Sequence, residues 1–261
     1  MPSTGSDVRS CTIAIAGKGG TGKTTVAALT VSRLIAGGRT PVLAVDADPN
    51  SCLDSALGVR VTQTVGAVRE EAREMAGKGL GTGVSKGEML ELKIHESLVE
   101  AGSFDLIAMG RCEGPGCYCY ANNVLSKVID RLADDYPALV IDNEAGLENL
   151  SRRIVRKVDL LLMVTDPSRA GLTTVERLHD LANEMGLSYG KLAVVINRLR
   201  TDSLPDGTDA LQQEINADVV VGLPDDSLLA ELGERGDSLF NIQDGHPLLC
   251  AVDRLLDEAL G

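Results

Sequence analysis

A chain of 261 residues has room for one large domain or two small ones, and with four Tyr, two Phe and no Trp its core must be aliphatic. Twenty-five Lys+Arg against 38 Asp+Glu leave a formal charge of −13, which counts against a protein held on nucleic acid or on an anionic membrane by phosphate neutralisation. So few aromatics also leave little to build a base-stacking platform from. Six cysteines without the dense spacing of a secreted disulfide scaffold fit thiols kept reduced in a cytoplasm, and three of them fall between Cys112 and Cys119.

In chain order, residues 1–10 are small and polar, without an apolar stretch of signal-peptide length, and read as a flexible tail before a domain over 11–261. Apolar runs of strand length follow at Cys11–Ala16, Val42–Val45, Phe104–Met109, Ala138–Ile141, Leu160–Val164, Leu192–Ile196 and Val219–Gly222. None alternates with polar residues, so each is expected to be buried on both faces. Stretches with helical spacing lie between or after them at Lys23–Ala36, Leu90–Ala101, Asn122–Asp134, Leu172–Met185, Asp209–Ile215, Ser227–Glu234 and Leu248–Leu260. Strand and helix alternate, which predicts a single doubly wound α/β domain: a mostly parallel sheet of about seven strands with helices on both faces. The Gly-, Glu- and Lys-rich stretch 60–87 reads as a mobile surface insertion, and no run approaches the roughly 18 apolar residues of a membrane-spanning helix.

The motif Gly17-Lys18-Gly19-Gly20-Thr21-Gly22-Lys23-Thr24 fits G-x-x-x-x-G-K-[ST] and sits between the first strand and the first helix, where a phosphate-binding loop belongs. Its glycines let backbone N–H groups turn inward around a phosphate chain, and the helix N-terminus adds partial positive charge. Lys23 is expected to reach the β- and γ-phosphates and the Thr24 hydroxyl to ligate Mg²⁺. Lys18, a second lysine in an already cationic loop, is expected to point elsewhere. Acids at the carboxyl ends of two strands, Asp46 with Asp48 and then Asp142, stand beside the crevice that α/β sheets use for ligands.

Gly17 to Thr25 matches G-K-G-G-x-G-K-T-T and resembles the deviant Walker A ATPases, the MinD, ParA and nitrogenase iron protein class. The resemblance implies an ATP/ADP-dependent homodimer in which Lys18 reaches the partner's nucleotide, Asp48 orients the attacking water and Asp46 supports the Mg²⁺ shell. It likewise implies that Asp142 holds Mg²⁺ through water and that the loop through Gly146 changes shape on hydrolysis. Asn197 would read the adenine edge, with Pro224 and Asp225 flanking the base. No N-K-x-D signature for guanine is present, which favours ATP over GTP.

Cys117-Tyr118-Cys119 offers two thiols at i and i+2 that can meet one metal ion, with Cys112 as a possible third. A structural zinc site takes four ligands, so a two-fold axis that joins two Cys117/Cys119 pairs would complete it. Thiolates suit Zn²⁺, Ni²⁺ or an Fe–S cluster, while a redox disulfide and buried thiols remain open alternatives. Core packing is expected for Cys11, Cys52 and Cys250, and no ligand role for His95, His179 and His246. The segments Gly110-Arg111-x-Glu113-Gly114-Pro115-Gly116-Cys117-Tyr118-Cys119 and Asp142 to Arg153 resemble the CooC-type ATPases, with Cys112 where that family has Pro. That resemblance implies a cytoplasmic metal-delivery ATPase binding Ni or Zn between subunits and serving carbon monoxide dehydrogenase or acetyl-CoA synthase, without nucleic acid or membrane. Its rivals are a MinD- or ParA-like positioning ATPase without metal and an Fe–S reductase resembling the nitrogenase iron protein.

Overall fold

The computed structural model describes residues 10–50, 52–77, 92–111, 117–147 and 158–261. Its strands are β1 (Cys11–Gly17), β2 (Val42–Asp46), β3 (Val99–Glu100), β4 (Phe104–Ala108), β5 (Ala138–Asp142), β6 (Val158–Thr165), β7 (Tyr189–Leu199) and β8 (Val219–Pro224). They form one sheet in the order β3-β4-β2-β5-β1-β6-β7-β8, parallel throughout except for β3 on β4. Seven of these are the apolar runs of the sequence. The eighth, β3, was expected to be the end of a helix over Leu90–Ala101. Instead the described helical residues there are 92–96, and Gly102 at φ +80° turns the chain so that Val99 pairs with Leu106.

The helices are α1 (Lys23–Ala36), α2 (Leu53–Leu57), α3 (Val65–Gly77), α4 (Cys117–Leu132), α5 (Arg169–Glu184), α6 (Thr208–Glu214), α7 (Ser227–Arg235) and α8 (Pro247–Leu260). On one face of the sheet Val65 and Val68 of α3, Leu125, Val128 and Ile129 of α4 and Leu172 and Val175 of α5 share one buried core with Leu139 and Ile141. On the other, α1, α2 and α8 share a second buried core with Val140, Leu160 and Leu162. Each Val, Leu or Ile fully buried this way is stabilising by roughly 1.5–3 kcal/mol, which lets an aliphatic sheet hold together without aromatic mass. Arg33 of α1 binds Asp253 of α8 at 2.7 Å and Asp244 at 2.8 Å. The apolar stripe of α8 (Leu248, Leu249, Val252, Leu255, Leu256, Ala259) is spent inside the core. Among the described residues no helix is long and apolar enough to cross a membrane.

Two boundaries differ from the sequence reading in ways that matter for the site. Part of the 60–87 stretch is ordered as α3, because Val65 and Val68 supply an apolar anchor and Gly66 N–H donates to the Met109 carbonyl at 2.9 Å; residues 78–87 lie outside the described set. Helix α4 starts at Cys117, five residues before the expected Asn122, so Cys117 and Cys119 are its first turn.

Candidate functional site

The phosphate loop leaves the central strand β1, flanked by β5 and β6. Two of its glycines are fixed by contact. A Cβ on Gly17, at φ +152°, would stand 2.2 Å from the Val164 carbonyl oxygen, and one on Gly22, at φ +96°, would stand 2.3 Å from Asn197 Nδ2. The Lys18 carbonyl folds the loop by accepting from Thr21 N–H at 3.4 Å, Thr21 Oγ1 at 2.9 Å and Lys23 Nζ at 3.2 Å. Lys23 is buried, and that burial pulls its pKa down while Asp142, Asp48 and Glu144 pull it back up. A buried ammonium at the head of a helix, over a turn that Gly17, Gly20 and Gly22 keep free of side chains, suits a polyphosphate.

The parallel registers bring the acids to the same end. Asp142 of β5 lies level with Ile15 of β1 and with Asp46 of β2. Burial, with Asp46 and Asp48 nearby, raises Asp142 to about 7, against the opposing effects of a Thr24 hydrogen bond and Lys23. Its Oδ1 is buried without a hydrogen-bond partner. A buried carboxylate with an unused oxygen beside a threonine hydroxyl fits a hard divalent cation such as Mg²⁺, which would also take oxygens from the nucleotide and water. Among the described residues no three His, Cys, Asp or Glu side chains gather into a metal site by themselves.

Asp46 is also buried, and burial raises it to about 6. Its oxygens accept from the backbone N–H of Asp48 at 3.1 Å and of Leu53 at 3.0 Å, so it shapes the loop that carries Asp48. Asp48 Oδ1 in turn accepts from Asn50 N–H at 2.8 Å, and Asn50 Oδ1 accepts from Arg111 at 3.0 Å. Across the phosphate loop, Gly146 N–H donates to the Gly17 carbonyl at 3.1 Å as an isolated antiparallel bridge.

Asn197 is buried behind the loop, its Nδ2 donating to the Thr21 carbonyl at 2.8 Å and its Oδ1 accepting from Arg198 N–H at 3.0 Å. In this conformation it braces the phosphate loop. Pro224 pairs with Leu199, and Asp225 N–H donates to the Leu199 carbonyl at 2.7 Å, which sets both at the end of β8 beside Asn197.

Three polar groups at this end escaped the sequence reading. Asp166, just past β6, accepts from Ser168 N–H at 2.9 Å; the Ser168 side chain first, then that backbone bond, then Lys18 and Arg198 hold its carboxyl below the usual range. A Cβ on Gly171 would come within 2.9 Å of that carboxylate. The signal was an acid at a strand's carboxyl end, hidden because the apolar run stops two residues earlier. The others are Asn143 and the Asn50–Arg111 link.

Cys117 and Cys119 head α4, their side chains outside the described set, and Cys112 lies outside the described residues altogether. On the helical backbone these two positions lie about 200° apart around the axis. Cys11 is buried as expected, but Cys52 and Cys250 are exposed. Cys52 only borders α2, and Cys250 falls off the buried stripe of α8.

A central phosphate loop, with two carboxylates level with each other across β2 and β5, defines a P-loop NTPase. The chain belongs to the CobQ/CobB/MinD/ParA nucleotide-binding domain family, whose model matches residues 12–240. It is 39% identical to an uncharacterized ATP-binding protein of Methanocaldococcus jannaschii over 95% of this chain and 98% of that one. It is 27% identical to the carbon monoxide dehydrogenase accessory protein CooC of Rhodospirillum rubrum over 92% and 95%. Among solved structures, the septum site-determining protein MinD of Pyrococcus horikoshii, complexed with Mg-ADP, shares the fold at TM-score 0.66 and 22% identity, covering 95% of this chain and 96% of that one.

Proposed function

We propose that this protein is a Mg²⁺-dependent ATPase that cycles between an ATP-held homodimer and a looser form, and that it carries Ni²⁺ or Zn²⁺ on Cys117 and Cys119 of two subunits for insertion into a nickel enzyme. Lys23, Thr24 and Asp142 hold phosphate and Mg²⁺, Asp48 places the water, and Lys18 reaches the partner's nucleotide. Phosphoryl transfer depends on such positioning and charge, so a lysine supplied in trans ties turnover to dimerisation.

The observation that supports coupling between the two sites is a pair of hydrogen bonds that runs from Asp48 to Arg111. Asp48 holds Asn50, Asn50 binds Arg111, and Arg111 opens the segment that ends in Cys117 and Cys119. A change in the Asp48 loop on hydrolysis would thereby reach Arg111, the residue that precedes the cysteine segment. The similarity to CooC, whose name couples it to carbon monoxide dehydrogenase, supports the same reading.

Metal analysis after dialysis against Ni²⁺ and Zn²⁺ with Mg²⁺ and a non-hydrolysable ATP analogue tests it. The expected result is about one metal per two chains, by counting four thiolates to a site, and none in Cys117→Ser/Cys119→Ser. A full equivalent retained by the double variant sinks the shared site, and a wild type that binds no metal favours a metal-free positioning ATPase. A brown protein with visible absorbance would favour the Fe–S reductase instead.

A further inference from the structure

Asn143, the residue after Asp142, is 1% exposed and has two unequally matched ends. Its Nδ2 donates to the Ile15 carbonyl at 2.8 Å, and its backbone N–H reaches the same oxygen at 3.3 Å. Its Oδ1 is equally buried and has no hydrogen-bond partner. Exchanging the two amide ends does not help, because it sets Oδ1 against the Ile15 carbonyl oxygen. A buried acceptor left without a donor is costly, and a leucine of similar volume would avoid the cost. The chain keeps the amide one residue after the magnesium acid and three before Gly146.

The loop that follows, residues 144–147, carries the nearest backbone N–H groups in sequence. Gly146 N–H is engaged by the Gly17 carbonyl, which clamps residues 144–147 against the phosphate loop. While that clamp holds, the loop's N–H groups are kept away from Oδ1. We infer that Asn143 is a positioning residue that favours ATP over ADP: a γ-phosphate draws the loop off Gly17, and a loop N–H then closes onto Asn143 Oδ1. The Nδ2 bond to Ile15 is the fixed end of this anchor and is present in both arrangements. The Oδ1 bond is present in only one, so it stabilises the triphosphate conformation selectively. The inference rests on the reading of this chain as an ATP-switched NTPase.

Binding of Mg·AMP-PNP and of Mg·ADP to Asn143→Leu, measured by calorimetry on the full chain, tests it. The AMP-PNP dissociation constant is expected to rise about tenfold, the factor one net hydrogen bond carries, and that for ADP less than about twofold. Loss of the Nδ2 bond alone moves both nucleotides equally, so equal weakening, or no change in either, overturns the inference. Hydrogen exchange on the wild-type chain keeps the question decidable if the variant does not fold. Amides of residues 144–147 should gain protection at one position with AMP-PNP and not with ADP, and identical exchange with both nucleotides overturns the inference. Failure of the wild-type chain to bind either nucleotide would instead remove the ATPase reading itself.

Discussion

The phosphate loop after β1 and the cysteine segment after β4 leave the same end of one sheet, yet they are finished in different ways. Around the phosphate loop a single chain supplies the groups that would bind nucleotide: glycines that only fit without a Cβ, a buried lysine, and acids level with one another across β2 and β5. The cysteine segment supplies two cysteines two positions apart in a helical turn. A site complete in one chain can bind its ligand in the monomer. On the proposed reading the cysteine site needs a second copy, which would let the nucleotide site switch it.

The largest test of that contrast is on the complete site. Asp48→Ala should lower ATP turnover by about 10²-fold, the contribution of one well-placed proton-handling group, while leaving ATP bound. Asp46 and Asp142 are untouched, and the Asn50 N–H loses its acceptor. Single-turnover kinetics with trapped nucleotide would show this, and normal turnover contradicts the water-positioning role. Next in size is Lys18→Ala, which should keep nucleotide affinity and lose the ATP-induced dimer in light scattering. The Lys18 backbone carbonyl, which folds the loop, survives the substitution. Dimerisation unchanged in that variant removes the trans role of the lysine.

How much of this was legible in the sequence follows the same division. A parallel sheet buries both faces of every strand, so its strands stand out as unbroken apolar runs, and the phosphate loop is a contiguous motif whose glycines answer to local sterics. The placing of Asp46 and Asp142 at carboxyl ends of strands was also readable, because both end such runs, whereas their shared level across β2 and β5 came from the register. The two-residue β3 was not, since its strand character comes from a turn at Gly102 and from β4, not from its own residues. Helix α3 was hidden in a polar stretch because two buried valines are enough to dock it. The bracing role of Asn197 depends on a bond to a residue 176 positions away and has no local signature. Cys250 was misplaced because its packing depends on which side of α8 it occupies.

A smaller effect bears on the incomplete site. If one ion is to meet Cys117 and Cys119 together, the first turn of α4 must open, since i and i+2 do not share a helix face. The amides of residues 121–123 bond the carbonyls of 117–119 in a continuous helix. Adding Zn²⁺ or Ni²⁺ in the presence of nucleotide should therefore speed exchange at 121–123 by about tenfold while the buried stripe at Leu125, Val128 and Ile129 stays protected. Metal binding with full protection at 121–123 means that the thiols reach the ion without opening the helix. The coupling between sites would then have to run through another path than unwinding.

The smallest expected effect is on stability, and it separates the two regions most cleanly. Asp142 has its folded pKa raised from 3.8 to about 7, first by burial, so the folded chain holds a proton there that the unfolded chain has lost between about pH 4 and pH 7. Stability from this group is therefore present at low pH, declines as pH rises through that window and is absent above it. Asp142→Asn places a neutral amide where the charge is unfavourable. Without nucleotide it should melt about 2–4 °C above the wild type at pH 7.5, the shift that 1 kcal/mol makes in a chain of this size, with the difference vanishing near pH 4. The same variant should lose the Mg²⁺-dependent part of its stabilisation by ATP, because the unused Oδ1 charge that fits the cation is gone. Differential scanning fluorimetry across pH, with and without Mg·ATP, reads both signs in one experiment. A variant less stable than the wild type at pH 7.5 would show that Asp142 is held ionised by contacts within the chain, leaving the cation no buried charge to neutralise.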